Sequence, residues 1–159
     1  MKPRQAAFVS AAGTIAVFAG VTSLVLANAT RLNGSVLVPG LLDIEFHHNR
    51  GISFGLFAQD GEMGSRLLIF LVCLLIAGLG VLAWKTSRTV IAIGLGMVIG
   101  GAVVNVLDRV MNGAVFDYLF VHLGTLPLFI CNTPDVAISL GFLIWLAGEY
   151  LPDKRAKQA

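Results

Sequence analysis

The sequence predicts an all-α integral membrane fold of four transmembrane helices, with a small extracytoplasmic β-sheet and both termini in the cytoplasm. Three observations carry that expectation. Hydrophobic residues make up 57% of the chain and charged residues only 13%, with a mean hydropathy of +0.85. A soluble domain of this length has no use for so much apolar surface, so the surplus faces lipid. Four segments approach the roughly 20 apolar residues needed to cross a hydrocarbon core of about 30 Å. Lys and Arg gather at the ends and connections that this arrangement puts on one side, as the cytoplasmic side requires.

In chain order, the first span runs from Ala6 to about Ala27. It follows Lys2 and Arg4 and ends in Ala27-Asn28-Ala29, which imitates the small-residue cleavage site of a secretory signal. Its apolar run exceeds the usual h-region of about 7 to 15 residues, and the rest of the chain is itself apolar enough to be embedded, which favours a span. A long connection from Thr30 to Arg66 follows, in which Leu42-Asp43-Ile44-Glu45-Phe46-His47 alternates apolar and polar residues as a half-buried strand does. The second span covers Leu67 to Trp84 and the third Thr89 to Leu107, where Gly96 and Gly100 form a small-xxx-small pair that lets another helix approach closely. A second connection, Asp108 to Asp135, leads to the last and shortest span, Val136 to Leu151. The chain reads as one membrane-embedded domain over residues 1–159.

The charges set the orientation. Lys2, Arg4, Lys85, Arg88, Lys154, Arg155 and Lys157 fall on one side, Arg31, Arg50 and Arg66 on the other, with Arg109 near the end of the third span. Both long connections are therefore extracytoplasmic. The net charge of +2 is too small and too scattered for a nucleic-acid partner, which needs a clustered basic face. Cys73 and Cys131 have neither metal-ligand spacing nor the density of a disulfide scaffold and read as reduced packing residues.

Ionisable groups within or beside apolar spans mark functional or tightly paired sites. Here they are Asp108 and Arg109 at the end of the third span, Asp117 within Ala114-Val115-Phe116-Asp117-Tyr118-Leu119, and Asp135 opening the fourth span. At 1.5 Å per residue, Asp108 lies about 28 Å along a helix that starts at Thr89, so the three carboxylates converge on the outer interface. Thr133-Pro134-Asp135 reads as a helix start with Thr at the N-cap and Pro at the first helical position. The helix dipole there favours a carboxylate, whereas Asp117 between Phe116 and Tyr118 is pushed toward its protonated form by burial. Such a pair can activate water for attack on a peptide carbonyl, Asp135 as base and Asp117 as acid, with no metal or cofactor. Other readings stand beside this one. Asp108 and Arg109 form either a structural ion pair or part of the chemistry, and Asn105 and Asn132 either satisfy backbone groups or orient the carboxylates. His47 and His48 point to opposite faces of a strand, which disfavours a metal site.

Three ordered motifs resemble the lipoprotein signal peptidase, or signal peptidase II, family. Asn49-Arg50-Gly51-Ile52-Ser53-Phe54 is similar to its N-x-G-x-x-F segment, and Gly100-Gly101-Ala102-Val103-Val104-Asn105-Val106-Leu107-Asp108-Arg109 to G-G-A-x-x-N-x-x-D-R. Val115-Phe116-Asp117-Tyr118 with Cys131-Asn132-Thr133-Pro134-Asp135 resembles V-x-D-[FY] and F-N-x-A-D. The resemblance spans essentially the whole chain. It implies a peptidase of the bacterial inner membrane with its active site at the extracytoplasmic face, Asp117 and Asp135 as the catalytic pair, and Asn49, Gly51, Asn105, Asp108, Arg109 and Asn132 binding or orienting substrate. The implied partners are membrane lipid and a prolipoprotein whose cysteine carries diacylglyceryl, cut just before that cysteine. The chain departs from the pattern at Ala27, where the acid of D-x-x-[ST]-K belongs, and at Val104, Cys131 and Pro134. These changes spare the pair and mark a divergent member. A non-catalytic relative that binds precursors is a second expectation, and a proton-coupled transporter, which needs carboxylates spread across membrane depth, a third.

Overall fold

The computed structural model describes residues 1–49 and 62–151. In chain order these form α1 (Pro3–Ala27), α2 (Ala29–Leu32), β1 (Val36–Val38), β2 (Leu42–Asn49), α3 (Glu62–Lys85), α4 (Thr89–Asn112), β3 (Val115–Leu123), β4 (Leu126–Cys131) and α5 (Thr133–Tyr150). Three of the helices are long and apolar enough to cross a membrane: Pro3–Ala27, Met63–Lys85 and Thr89–Asn112. Phe8, Val17 and Leu24 on α1 and Phe70, Leu71 and Leu74 on α3 are exposed, as expected of side chains that meet acyl tails rather than a core. The fourth expected span becomes α5, 18 residues long, or about 27 Å at 1.5 Å per residue. It carries Asp135 at its start and Glu149 near its end.

Two helix ends differ from the sequence expectation. The third helix, expected to end at Leu107, continues to Asn112, where Gly113 (φ 73°) caps it in the left-handed conformation. Hydropathy stops at Asp108, but nothing in the residues from Asp108 to Asn112 breaks a helix, and only glycine takes that cap without strain. The second helix similarly begins at Glu62 rather than Leu67.

Helix α4 is the centre of the bundle. On one flank a Cβ at Gly96 would overlap the Ser10 hydroxyl and the Ala7 carbonyl, and one at Gly100 would stand 2.7 Å from the Ala11 carbonyl oxygen, so α1 and α4 lie almost backbone to backbone. On the adjoining flank a Cβ at Gly101 would stand 2.6 Å from the Pro134 carbonyl oxygen of α5. The small-xxx-small pair thus sets the α1 contact, and Gly101 sets that of α5. At one end of the bundle Arg4 lies 4.1 Å over the Trp84 ring and donates to the Trp84 carbonyl, while Arg88 donates to the carbonyls of Glu149 and Leu151. The chain's N-terminus, the α3–α4 connection and the end of α5 therefore meet at one end.

The sheet lies toward the other end. Its order is β1-β2-β3-β4, antiparallel throughout. The expected strand Leu42–His47 is present as β2 and runs on to Asn49. An irregularity between Ile44 and His47 shifts the register, so that His47 opposes Asp117 and Asn49 opposes Val115. Side chains alternate along a strand, so Asn49, Val115 and Asp117 share one face, while Phe46, His48, Phe116 and Tyr118 share the other, with Phe46 and Phe116 rings 5.1 Å apart.

Candidate active site

Two carboxylates from different elements meet at the polar end of a cavity. Asp117 comes from β3 and is 3% exposed. Its Oδ2 accepts from the Asn49 amide at 3.0 Å and its Oδ1 from the Asn132 amide at 2.9 Å. Asp135 comes from the first turn of α5, and its Oδ1 accepts from the Asn105 amide at 2.7 Å while its Oδ2 accepts from the Asn132 backbone N–H at 3.2 Å. The Asn132 amide donates its second hydrogen to the Asn105 carbonyl oxygen at 3.1 Å, and its own carbonyl oxygen accepts from the Asp135 N–H at 2.9 Å. Every hydrogen-bonding atom of the buried Asn132 side chain is thus used, which fixes both its flip and its rotamer.

The expectation that Thr133 caps α5 needs correction. Asn132 is the N-cap, Thr133 and Pro134 occupy the first two helical positions, and Asn132 and Asp135 form a reciprocal capping box. The Asn132 carbonyl reaches the N–H at the third position, and the Asp135 carboxylate reaches back to the Asn132 N–H. Pro134 costs nothing there, since the first-turn amides have no intrahelical partner. The same box that starts the helix holds the Asp135 carboxylate on Asn132, whose side chain also serves Asp117.

Of the other expected site residues, Asn105 and Arg109 reach this cluster from α4, one helical turn apart. Arg109 is buried and lies close enough to Asp117, Asp108 and Asp135 for their charges to act on it. Asp108 serves the backbone: its Oδ2 accepts from the Phe116 N–H at 2.7 Å and its Oδ1 from the Asn112 amide at 2.6 Å. That braces the end of α4 against the strand one residue before Asp117. Gly51 lies outside the described residues, as does Arg50. His47 stands 3.6 Å from Glu45 at the surface, and the His48 ring packs 5.7 Å from Phe116.

The cavity has a volume of about 270 Å³. Asn49, Asn105, Arg109, Asp117 and Asp135 line its polar end, and Leu68, Val72, Leu75, Ile76 and Leu79 of α3 form an apolar wall opposite Val98, Ala102 and Val106 of α4. Burial pushes the Asp117 carboxyl up from 3.8 to about 6. The nearby Asp135 adds to the rise, while the amides of Asn49 and Asn132 and the charge of Arg109 oppose it. Burial also raises the Cys131 thiol to about 11, so it stays protonated beside the two acids. A buried, hydrogen-bonded carboxyl that keeps its proton up to about pH 6, beside a second carboxyl, suits acid–base work on water.

The family model for signal peptidase (SPase) II matches residues 11–150. The chain belongs to the signal peptidase II family. Among curated relatives, the lipoprotein signal peptidase of Methylorubrum extorquens (strain PA1) is 36% identical over 68% of this chain and 63% of its own length. That of Methylobacterium radiotolerans is 36% identical, covering 70% and 65%, so the chain spans just under two thirds of these relatives. The lipoprotein signal peptidase of Nitrobacter hamburgensis is 30% identical over 89% of this chain and 94% of its own length. Two solved bacterial membrane enzymes share the fold, with TM-scores of 0.71 and 0.72 at 20% and 19% identity, over 89% and 92% of this chain. The departures from the signal peptidase II pattern are all local. Val104 is buried on α4, Pro134 is buried in the first turn of α5, Cys131 ends β4 opposite Leu119, and Ala27 ends α1.

Sequence reasoning missed Tyr118 as part of this architecture, although it closes the V-x-D-[FY] motif. Its side chain is 1% exposed, and its hydroxyl bonds that of Thr133.

Proposed function

We propose that this chain is a membrane aspartic endopeptidase that removes the signal peptide from diacylglyceryl-modified prolipoproteins, hydrolysing the peptide bond before the lipidated cysteine. One observation carries the reading. Asn132 gives its side-chain amide to Asp117 and its backbone N–H to Asp135, gathering two carboxylates at the polar end of an apolar cavity.

In the working arrangement Asp135 is the ionised base and Asp117 the protonated acid. A water between them gives a proton to Asp135 as its oxygen attacks the carbonyl carbon, and Asp117 passes its proton to the carbonyl oxygen. The gem-diol collapses as the C–N bond breaks. Asp135 protonates the leaving amine, Asp117 recovers a proton from the diol, and both carboxyls return to their starting states. Asn49, Asn105 and Asn132 orient the pair, Arg109 balances its charge, and Asp108 braces the strand. The apolar wall of α3 receives acyl chains and excludes water, and Gly51 belongs to the substrate-binding segment.

The enzyme works in the bacterial inner membrane with four spans, α5 being the fourth, both termini cytoplasmic and the sheet and site at the extracytoplasmic face. In support, Arg4, Lys85 and Arg88 gather at the bundle end away from the sheet. A lipid anchor confines the substrate to the bilayer, so a site at the interface gains effective concentration.

The test is cleavage of a diacylglyceryl-modified prolipoprotein by purified protein in lipid, with Asp117→Asn and Asp135→Asn beside the wild type. Each substitution lowers turnover by at least about a thousandfold, the upper range for loss of an acid or base. A folded wild type that binds precursor and never cuts it would overturn the peptidase reading in favour of a binding relative.

A further inference from the structure

On the face of β3 away from the carboxylates, Tyr118 makes a second attachment to α5. Its hydroxyl bonds the Thr133 hydroxyl, accepts from the Thr133 N–H at 3.4 Å, and lies 3.4 Å from the Thr22 hydroxyl of α1. Thr133 directly follows Asn132, the residue on which both carboxylates converge. The strand is therefore tied to the start of α5 at two points: Asp117 to Asn132 on one face, Tyr118 to Thr133 on the other. Pairing with β2 and β4 and the Asp108 brace fix the strand itself. The second bond, on the opposite face, adds a constraint on how the start of α5 sits against that strand, and so on how the two carboxyls face each other.

We propose that the Tyr118 hydroxyl is a positioning group for the Asp117–Asp135 pair, acting through Thr133 and anchored to the bundle by Thr22. The proposal rests on the peptidase reading above. Tyr118 touches neither carboxylate in the described contacts, and its ring already packs 5.6 Å from Phe116. Packing alone would thus be satisfied by phenylalanine, and the hydroxyl is the informative atom. Removing it leaves the half-buried Thr133 N–H and Thr22 hydroxyl short of a partner and loosens the start of α5 against the strand. Small errors in a near-attack geometry are costly, up to about a hundredfold per ångström.

The experiment compares Tyr118→Phe, Thr133→Val, Thr133→Ser and the double variant carrying both Tyr118→Phe and Thr133→Val with the wild type, on a diacylglyceryl-modified prolipoprotein across pH 5–9. Tyr118→Phe and Thr133→Val each lower kcat by about tenfold or more with KM nearly constant, and each shifts the pH profile of kcat, because the coupling between the carboxyls changes. The double variant is no worse than Tyr118→Phe alone, since that change already breaks the link that Thr133→Val removes. Thr133→Ser, which keeps the hydroxyl, recovers most of the loss. An unchanged kcat and pH profile in both Tyr118→Phe and Thr133→Val, with only the unfolding temperature lowered, overturns the positioning role and leaves the peptidase reading intact. A wild type that never cuts while Asp117→Asn behaves identically overturns the underlying reading instead, and the positioning role with it. If Tyr118→Phe does not fold, the Val and Ser variants at Thr133 decide the matter alone.

Discussion

The two sides of α4 follow opposite packing rules. Toward α1 and α5 it presents glycines, and a Cβ at Gly100 or Gly101 would fall within 2.7 Å of a neighbouring backbone oxygen. Toward α3 it presents Val98, Ala102, Asn105, Val106 and Arg109 to a cavity of about 270 Å³. The close-packed side holds the start of α5 rigidly, and with it Asn132 and Asp135. The open side leaves room for an apolar ligand against the branched side chains of α3. Precision and capacity are thus assigned to different faces of one helix. Under the function proposed above, that division lets one helix hold two carboxyls to a fraction of an ångström and also admit acyl chains.

The sharpest way to break the contrast is Gly101→Leu. Its side chain would start 2.6 Å from the Pro134 carbonyl oxygen and 2.8 Å from Ile138 Cγ1, so α5 must move. Overpacking of this kind costs about 1–3 kcal/mol or more, and we expect turnover to fall by more than about a hundredfold together with the unfolding temperature. Next comes Asn132→Ala, which removes the amide shared by Asp117 and Asn105 and the cap of α5. It should lower kcat by about a hundredfold and stability by more than the roughly 1 kcal/mol of a cap, since each buried partner left unpaired adds about 1–3 kcal/mol.

On the open side, Ile76→Trp fills the cavity without touching the carboxyls. It should raise KM by about tenfold and spare kcat, the signature of lost uniform binding. A subtler effect concerns pH. With Asp117 raised to about 6 and acting as the protonated acid proposed above, kcat/KM should fall on the alkaline side of about pH 6. Asn49→Ala removes a hydrogen bond that favours the carboxylate, so this limb moves to higher pH. Stability follows the same sign. The contribution of Asp117 is fully present below its unfolded value of 3.8 and is lost as pH rises through about 6, and Asp117→Asn flattens that dependence. The smallest effect belongs to Leu71→Ala on the exposed face of α3. It should change stability by less than about 0.5 kcal/mol and leave turnover unaltered.

The apolar helices, the strand Leu42–His47 and the residues proposed for the site are legible in the sequence because each is a local signal: a hydropathy run, a two-residue alternation, a short motif. The Asn132 cap is legible as well, since asparagine three residues before Asp135 has capping-box spacing, but Pro134 draws the reading one residue too far along. The end of α4 is not, because hydropathy reports where lipid contact stops and the backbone goes on to Gly113.

By itself, then, the sequence determined that this chain has membrane-spanning helices, which residues carry charge into them, and which motifs place it in its family. The tertiary structure alone decided which amide serves which carboxylate. Asn49 reaches Asp117 across 68 positions and Asn105 reaches Asp135 across 30. Those partnerships depend on the β2–β3 register and on the close approach at Gly101, and both are set by packing between distant segments rather than by any property of the residues on either side.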